Sequence, residues 1–123
     1  MKLSVSPDEQ TLAELRDATL LLRDRDGVAH AARDLASLGR FRNAGAWGPP
    51  AFSPDGRWIF LTPEYRDAQH GTLVVDAATA EPVLRLCGVL RPRPRAGGGY
   101  GAWMGTDGGI TFFAELASSI IEP

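Results

Sequence analysis

The sequence predicts an all-β fold assembled from repeated antiparallel sheets, and three observations predict it. A turn is written three times. Ser6-Pro7-Asp8-Glu9 follows Leu3-Ser4-Val5, Ser53-Pro54-Asp55-Gly56 follows Pro50-Ala51-Phe52, and Gly105-Thr106-Asp107-Gly108 follows Ala102-Trp103-Met104. Its aspartates, Asp8, Asp55 and Asp107, stand 47 and 52 residues apart. A short apolar run follows each turn: Thr11-Leu12-Ala13, Trp58-Ile59-Phe60-Leu61 and Ile110-Thr111-Phe112-Phe113. A repeat of this length, built from short strands, has the period of β-propeller blades. The expected architecture is a partial β-propeller of four-stranded antiparallel blades. It forms one domain over residues 1–123, with blade-like units at 1–38, 48–90 and 99–123.

The middle unit is the clearest. Pro49 to Ser53 reads as its first strand. Pro54-Asp55-Gly56 supplies the turn, because proline presets φ and glycine accepts positive φ without a Cβ clash. Arg57 to Thr62 is rich in β-branched and aromatic residues and reads as the second strand. Pro63 to Gly71 is a polar loop. Thr72 to Asp76 is apolar almost throughout, as expected of a strand covered on both sides. Asp76 is then placed to accept backbone N–H bonds across the turn Ala77-Ala78-Thr79-Ala80. Pro82 to Cys87 alternates and reads as a half-exposed outer strand.

These residues resemble a known pattern. Ala51 to Phe60, then Gly71 to Thr79, then Val83 to Leu86 are similar to one blade of bacterial tryptophan–aspartate (WD) repeat proteins and their relatives with an "SPDG…VxDxxTG" signature. The match covers about 40 residues. Ala80 stands where that signature has a glycine, and the dipeptide itself is present only as Val75-Asp76. The resemblance implies a platform for partners; the fold alone names no function.

The first third admits two readings. In the repeat alignment, Leu3 to Asp8 and Thr11 to Glu14 form a hairpin, Ala18 to Asp24 is the third strand, Asp26-Gly27 its turn, and Val28 to Leu35 the outer strand. In the competing reading, Ser6 and Glu9 form a capping box with Pro7 at the first helical position. Leu12, Leu15, Thr19 and Leu22 then share a helical face, and residues 7–38 form a helical hairpin in an α+β fold with a small sheet. The alignment is favoured because it accounts for four features at the right spacing. In the last third, Arg91 to Gly99 reads as a loop, and Tyr100–Met104, Ile110–Leu116 and Ser118–Ile121 as three strands. That leaves fewer than three complete blades, an open fan whose end faces are expected to be apolar and in need of covering.

Composition narrows the classes of function. Hydrophobic residues are 44% and charged residues 23% of 123, ordinary globular values. A net charge of −2 gives no reason to expect nucleic acid or an anionic membrane as partner. Cys87 is the only cysteine, so no intrachain disulfide forms. The first ten residues lack the apolar core of a secretory signal, and no run approaches a membrane span. A soluble cytoplasmic protein is the expectation.

Candidate chemistry is thin. His30, His70 and Cys87 lack metal-ligand spacing. Asp24-Arg25-Asp26-Gly27 lacks the further carboxylates of a calcium loop. Gly97 to Gly101 is not followed by the Lys-Ser/Thr of a phosphate loop. No catalytic, cofactor or metal site is expected. The candidate partner-binding residues are Arg91, Arg93 and Arg95, spaced by prolines, with Tyr65, Arg66, Trp47, Tyr100 and Trp103 in or beside expected loops. Tyr, Trp and Arg are common interface anchors, although Trp47 and Trp103 equally suit gaps between blades.

The functional expectation is a non-catalytic protein-binding scaffold, completed by a protein partner or by homodimerisation. Two alternatives are an accessory or substrate-gating part of an enzyme, and a truncated propeller without an independent role.

Overall fold

The computed structural model describes residues 1–37, 47–62, 72–86, 90–94, 100–104 and 110–113; beyond Val83 it describes the backbone only. Eleven strands fall into three antiparallel sheets among these residues. The first sheet is the meander β1 (Lys2–Val5), β2 (Leu12–Arg16), β3 (Thr19–Arg23) and β4 (Ala29–Asp34). The second is the meander β5 (Ala51–Phe52), β6 (Trp58–Leu61), β7 (Thr72–Asp76) and β8 (Pro82–Leu86). The third is ordered β11-β10-β9, from β9 (Leu90–Pro94), β10 (Tyr100–Met104) and β11 (Ile110–Phe113).

The helical-hairpin reading of residues 7–38 is overturned. β2, β3 and β4 occupy that stretch, and among its described residues the only helical piece is one 3₁₀ turn at Leu35–Ser37. Of the Ser6–Glu9 capping box, Ser6 does bond the backbone, but with Asp8 as its partner and not Glu9. Ser6 and Asp8 bond the backbone of a β-turn, where they do the work they would do at a helix start.

The first two sheets match position by position. Val5 pairs with Leu12 as Phe52 pairs with Ile59. Leu12 pairs with Arg23 and Glu14 with Leu21, as Ile59 pairs with Val75 and Leu61 with Leu73. Each sheet breaks register once in its last hairpin, after Leu22 in one and after Val74 in the other. The offset is 47 residues from β2 to β6 and 52 from β3 to β7. The five additional residues therefore lie between β6 and β7, within the stretch read as a polar loop.

The third sheet corrects two expectations. Arg91 to Pro94 was read as part of a loop, yet Leu90–Pro94 is a strand paired with β10. The sheet thus begins before residue 99, the expected start of the third unit. Proline removes a backbone donor, which excludes it from central strands but not from an edge. β9 is an edge, so Pro92 and Pro94 leave no ladder bond unmade on its free side. The β10–β11 hairpin encloses six residues between Trp103 and Ile110, as many as separate Val5 from Leu12 and Phe52 from Ile59. Within that equal span Asp107 comes one position later than Asp8 and Asp55 do. The expected strand at Ser118–Ile121 lies outside the described residues.

Alternation decides the core. Ala13 and Leu15 of β2 and Leu20 and Leu22 of β3 point to one face of the first sheet. They pack on Ile59 and Leu61 of β6 and on Leu73 and Val75 of β7, joined by Leu35 and Trp47. The other face of the second sheet is also closed: Trp58, Phe60, Thr72 and Val74 are all buried. β9 lies against β5 and β6, so the second sheet is the middle of the stack. The run Trp-Ile-Phe-Leu is apolar at every position because both its faces are covered.

Candidate functional site

A meander places its first and third turns at the same end. Here that end carries four turns, two from each sheet, and each is held by one aspartate. Asp8 accepts from Ser6 Oγ at 2.6 Å and from the Gln10 N–H at 3.0 Å. Asp55 accepts from Ser53 Oγ at 2.6 Å and from the Arg57 N–H at 3.0 Å. The serine hydroxyls in turn accept from the Thr11 and Trp58 N–H groups, at 3.0 and 3.1 Å. Glu9 at φ 61° occupies the place of Gly56 at φ 76°. In the β3–β4 turn, Asp24 Oδ1 accepts from the N–H groups of Asp26 and Val28, both at 2.9 Å. In the β7–β8 turn, Asp76 Oδ1 accepts from Ala78 at 2.7 Å and Thr79 at 3.2 Å.

The two sets of turns meet. The Ala77 N–H donates to the Arg57 carbonyl at 2.9 Å, tying the second sheet's turns to each other. A Cβ added at Gly56 would lie 3.8 Å from Pro7 Cδ, so the first turns of the two sheets are in contact range. Farther along β4, Arg33 donates through Nε to the Ala80 carbonyl at 3.1 Å and pairs through Nη2 with Glu81 at 2.5 Å. Between the turns lies a cleft of about 450 Å³, lined by Thr11, His30, Gly56, Arg57 and Asp76–Ala78. Two of its groups face solvent with unused donors: the His30 imidazole and the Arg57 guanidinium. The guanidinium lies over the Trp58 ring, 4.9 Å from its centroid, at cation–π distance.

The electrostatics follow from the turn chemistry. The Ser6 hydroxyl, and then the Gln10 N–H, hold the Asp8 carboxyl below its ordinary value. Chemically, the cleft offers the nitrogen donors of His30 and Arg57 beside the Asp76 carboxyl, within a frame of hydrogen-bonded turns. Among the described residues no cluster of three or more His, Cys, Asp or Glu is placed to hold a metal ion. No helix among them is long and apolar enough to cross a membrane.

The residues singled out in the sequence fall elsewhere. Trp47 is 3% exposed and belongs to the core shared by the first two sheets, and its carbonyl accepts from Lys2 Nζ. Its ring fills space between sheets. Arg91 stands opposite Trp103, Arg93 opposite Gly101 and Tyr100 opposite Pro94 in the β9–β10 ladder. Tyr65, Arg66 and Arg95 lie outside the described residues. The cleft was not foreseen: His30 was weighed only as a metal ligand, and Arg57 only as the start of a strand. The signal that would have found it is topological, because the turns of a meander alternate between its two ends.

Compared with known proteins, the chain matches no protein-family model and no curated protein.

Proposed function

We propose that the protein is a non-catalytic protein-binding module built from propeller-type blades, and that it docks a partner protein at the rim where its four turns converge. The observation that carries this reading is the convergence itself: matched, hydrogen-bonded turns from two stacked sheets framing Arg57 and His30 in one cleft. Repeated blades supply rigid strands, and the turns between them supply the variable contacts. A guanidinium lying over an indole still presents its planar fork of donors to a carboxylate or a carbonyl. Completion of the blade stack by further sheets, from the partner or from a second copy, belongs to the same proposal.

The test compares the wild-type chain with Arg57→Glu/His30→Ala. Proteins retained by each immobilised chain are identified, and direct binding is then measured between purified components. A partner that binds the wild type and is lost from a variant of unchanged melting temperature supports the rim. Equal binding by both chains overturns it.

A further inference from the structure

The outer face of the first sheet lies open. Leu3 stands opposite Glu14, Val5 opposite Leu12, and Glu14 opposite Leu21, all on the side turned away from the core. Leu3 and Val5 are exposed, and Leu12 and Leu21 are half-buried. All four large hydrophobic residues exposed among the described ones, Met1, Leu3, Val5 and Val28, belong to this sheet or to the residues flanking its strands. In the second sheet the equivalents of Leu12 and Leu21 are Ile59 and Leu73, and both are buried against the first sheet. The fold therefore covers this kind of face with a sheet where it can. Beside the leucines is a hollow of about 330 Å³, lined by Glu14, Arg16, Asp17, Thr19, Leu21 and Arg23.

Glu14 is the group in that hollow that most needs a partner. Its side chain keeps only 12% of its exposure, yet its contacts among the described residues are Arg16 Nη2 at 3.5 Å and Arg23 Nε at 3.6 Å. Both are ion-pair distances, longer than a good hydrogen bond. A carboxylate so nearly buried gains from a closer donor. Arg16 is 66% exposed, and its guanidinium meets only that carboxylate and, at 3.3 Å, the Met1 thioether, a weak acceptor. The face thus offers an acceptor short of donors, a donor short of acceptors, and exposed aliphatic side chains between them. A partner of one charge would satisfy one of the two ions and leave the other. A second copy of the same face satisfies both, because a two-fold contact brings each group to its complement.

We infer that this face docks on the same face of a second copy, about a two-fold axis crossing β2 at Leu15, with the strands of the two sheets antiparallel. In that register Glu14 lies over Arg16 of the second copy, and Leu3, level with Glu14, lies over Met1 of the second copy. An axis at Glu14 itself would set carboxylate on carboxylate. Stacked sheets lie about 10 Å apart, a gap that a glutamate and an arginine side chain span between them. Four strands of about five residues cover roughly 20 by 17 Å, less than a stable interface needs, so the dimer is a weak and reversible one. The inference rests on the proposed completion of the stack and names its occupant. The rim variant Arg57→Glu/His30→Ala changes none of these residues and should dimerise as the wild type does, so the two tests fail separately.

Sedimentation velocity over about a hundredfold range of concentration, up to about 0.5 mM, is expected to show a monomer–dimer equilibrium. Leu3→Glu, at an exposed position, should keep the melting temperature and weaken the dimer at least roughly tenfold. Glu14→Arg and Arg16→Glu should each weaken it as well. The double variant Glu14→Arg/Arg16→Glu should recover it, because opposite charges again meet across the axis. Should changes at Glu14 unfold the chain, Leu3→Glu decides. A wild type that stays monomeric throughout, a dimer that Leu3→Glu leaves unchanged, or a folded double variant that associates no more tightly than the single ones would overturn the inference.

Discussion

Backbone strain is concentrated in the turns. Among the described residues three non-glycines have positive φ: Glu9 at 61°, Asp17 at 53° and Ala80 at 62°. Left-handed backbone at such residues costs about 1 kcal/mol or more. Glu9 is exposed, so Glu9→Gly releases strain and uncovers nothing; it is expected to stabilise by about 0.5–1 kcal/mol in chemical denaturation. Ala80 is equally strained, but its methyl group is fully buried. Ala80→Gly therefore exchanges relieved strain for about 0.8 kcal/mol of lost burial and is expected to be close to neutral. The converse change, Gly56→Val, places a β-branched residue at φ 76° and should destabilise by about 1–2 kcal/mol. An unchanged melting temperature for Gly56→Val would contradict the turn geometry. Asp8 adds a dependence on pH. Its carboxyl titrates below the ordinary 3.8, so folding favours the ionised form. That contribution is complete above pH 3.8 and is lost as pH falls through the lower folded value. Asp8→Asn should melt below the wild type at neutral pH, with the difference closing in acid; a difference that persists unchanged at about pH 2 would show that ionisation is not what holds the turn.

The strands differ in how they are covered, and that difference predicts their sensitivity. Phe60 is 1% exposed on the far face of the middle sheet, so Phe60→Ala should cost about 3–5 kcal/mol. Leu12 is half-buried on the outer face of the first sheet, and Leu12→Ala should cost no more than about 1 kcal/mol. Equilibrium unfolding of the two variants checks both values. The same contrast explains what the sequence made legible. Trp58 to Leu61 and Leu73 to Val75 are continuously apolar and lie close to turn residues, so their strands stood out within a residue or two. Thr19 to Arg23 and Ala29 to Asp34 are short and mixed; their periodicity fits a helix as well as a strand, and only the spacing of the repeat favoured strands. β9 was missed because alternating Arg and Pro suppress every strand signal except the position of the edge. The cleft stayed hidden for another reason. Thr11, His30, Arg57 and Asp76 lie far apart in sequence, and what joins them is the way two meanders stack.

An open fan was expected to expose apolar faces; the first sheet's outer face exposes Leu3 and Val5, with the half-buried Leu12 and Leu21, and carries the Glu14–Arg23 ion pair among them. The local meander has a further consequence, in time. Every strand of the first two sheets pairs with its neighbour in sequence, so each sheet forms by closing short loops in turn, and only the stacking of one sheet on another brings distant residues together. Folding should accordingly be fast for an all-β chain. The middle sheet, covered on both faces, should exchange its amide protons last, while β1, an edge with Leu3 and Val5 in solvent, opens first.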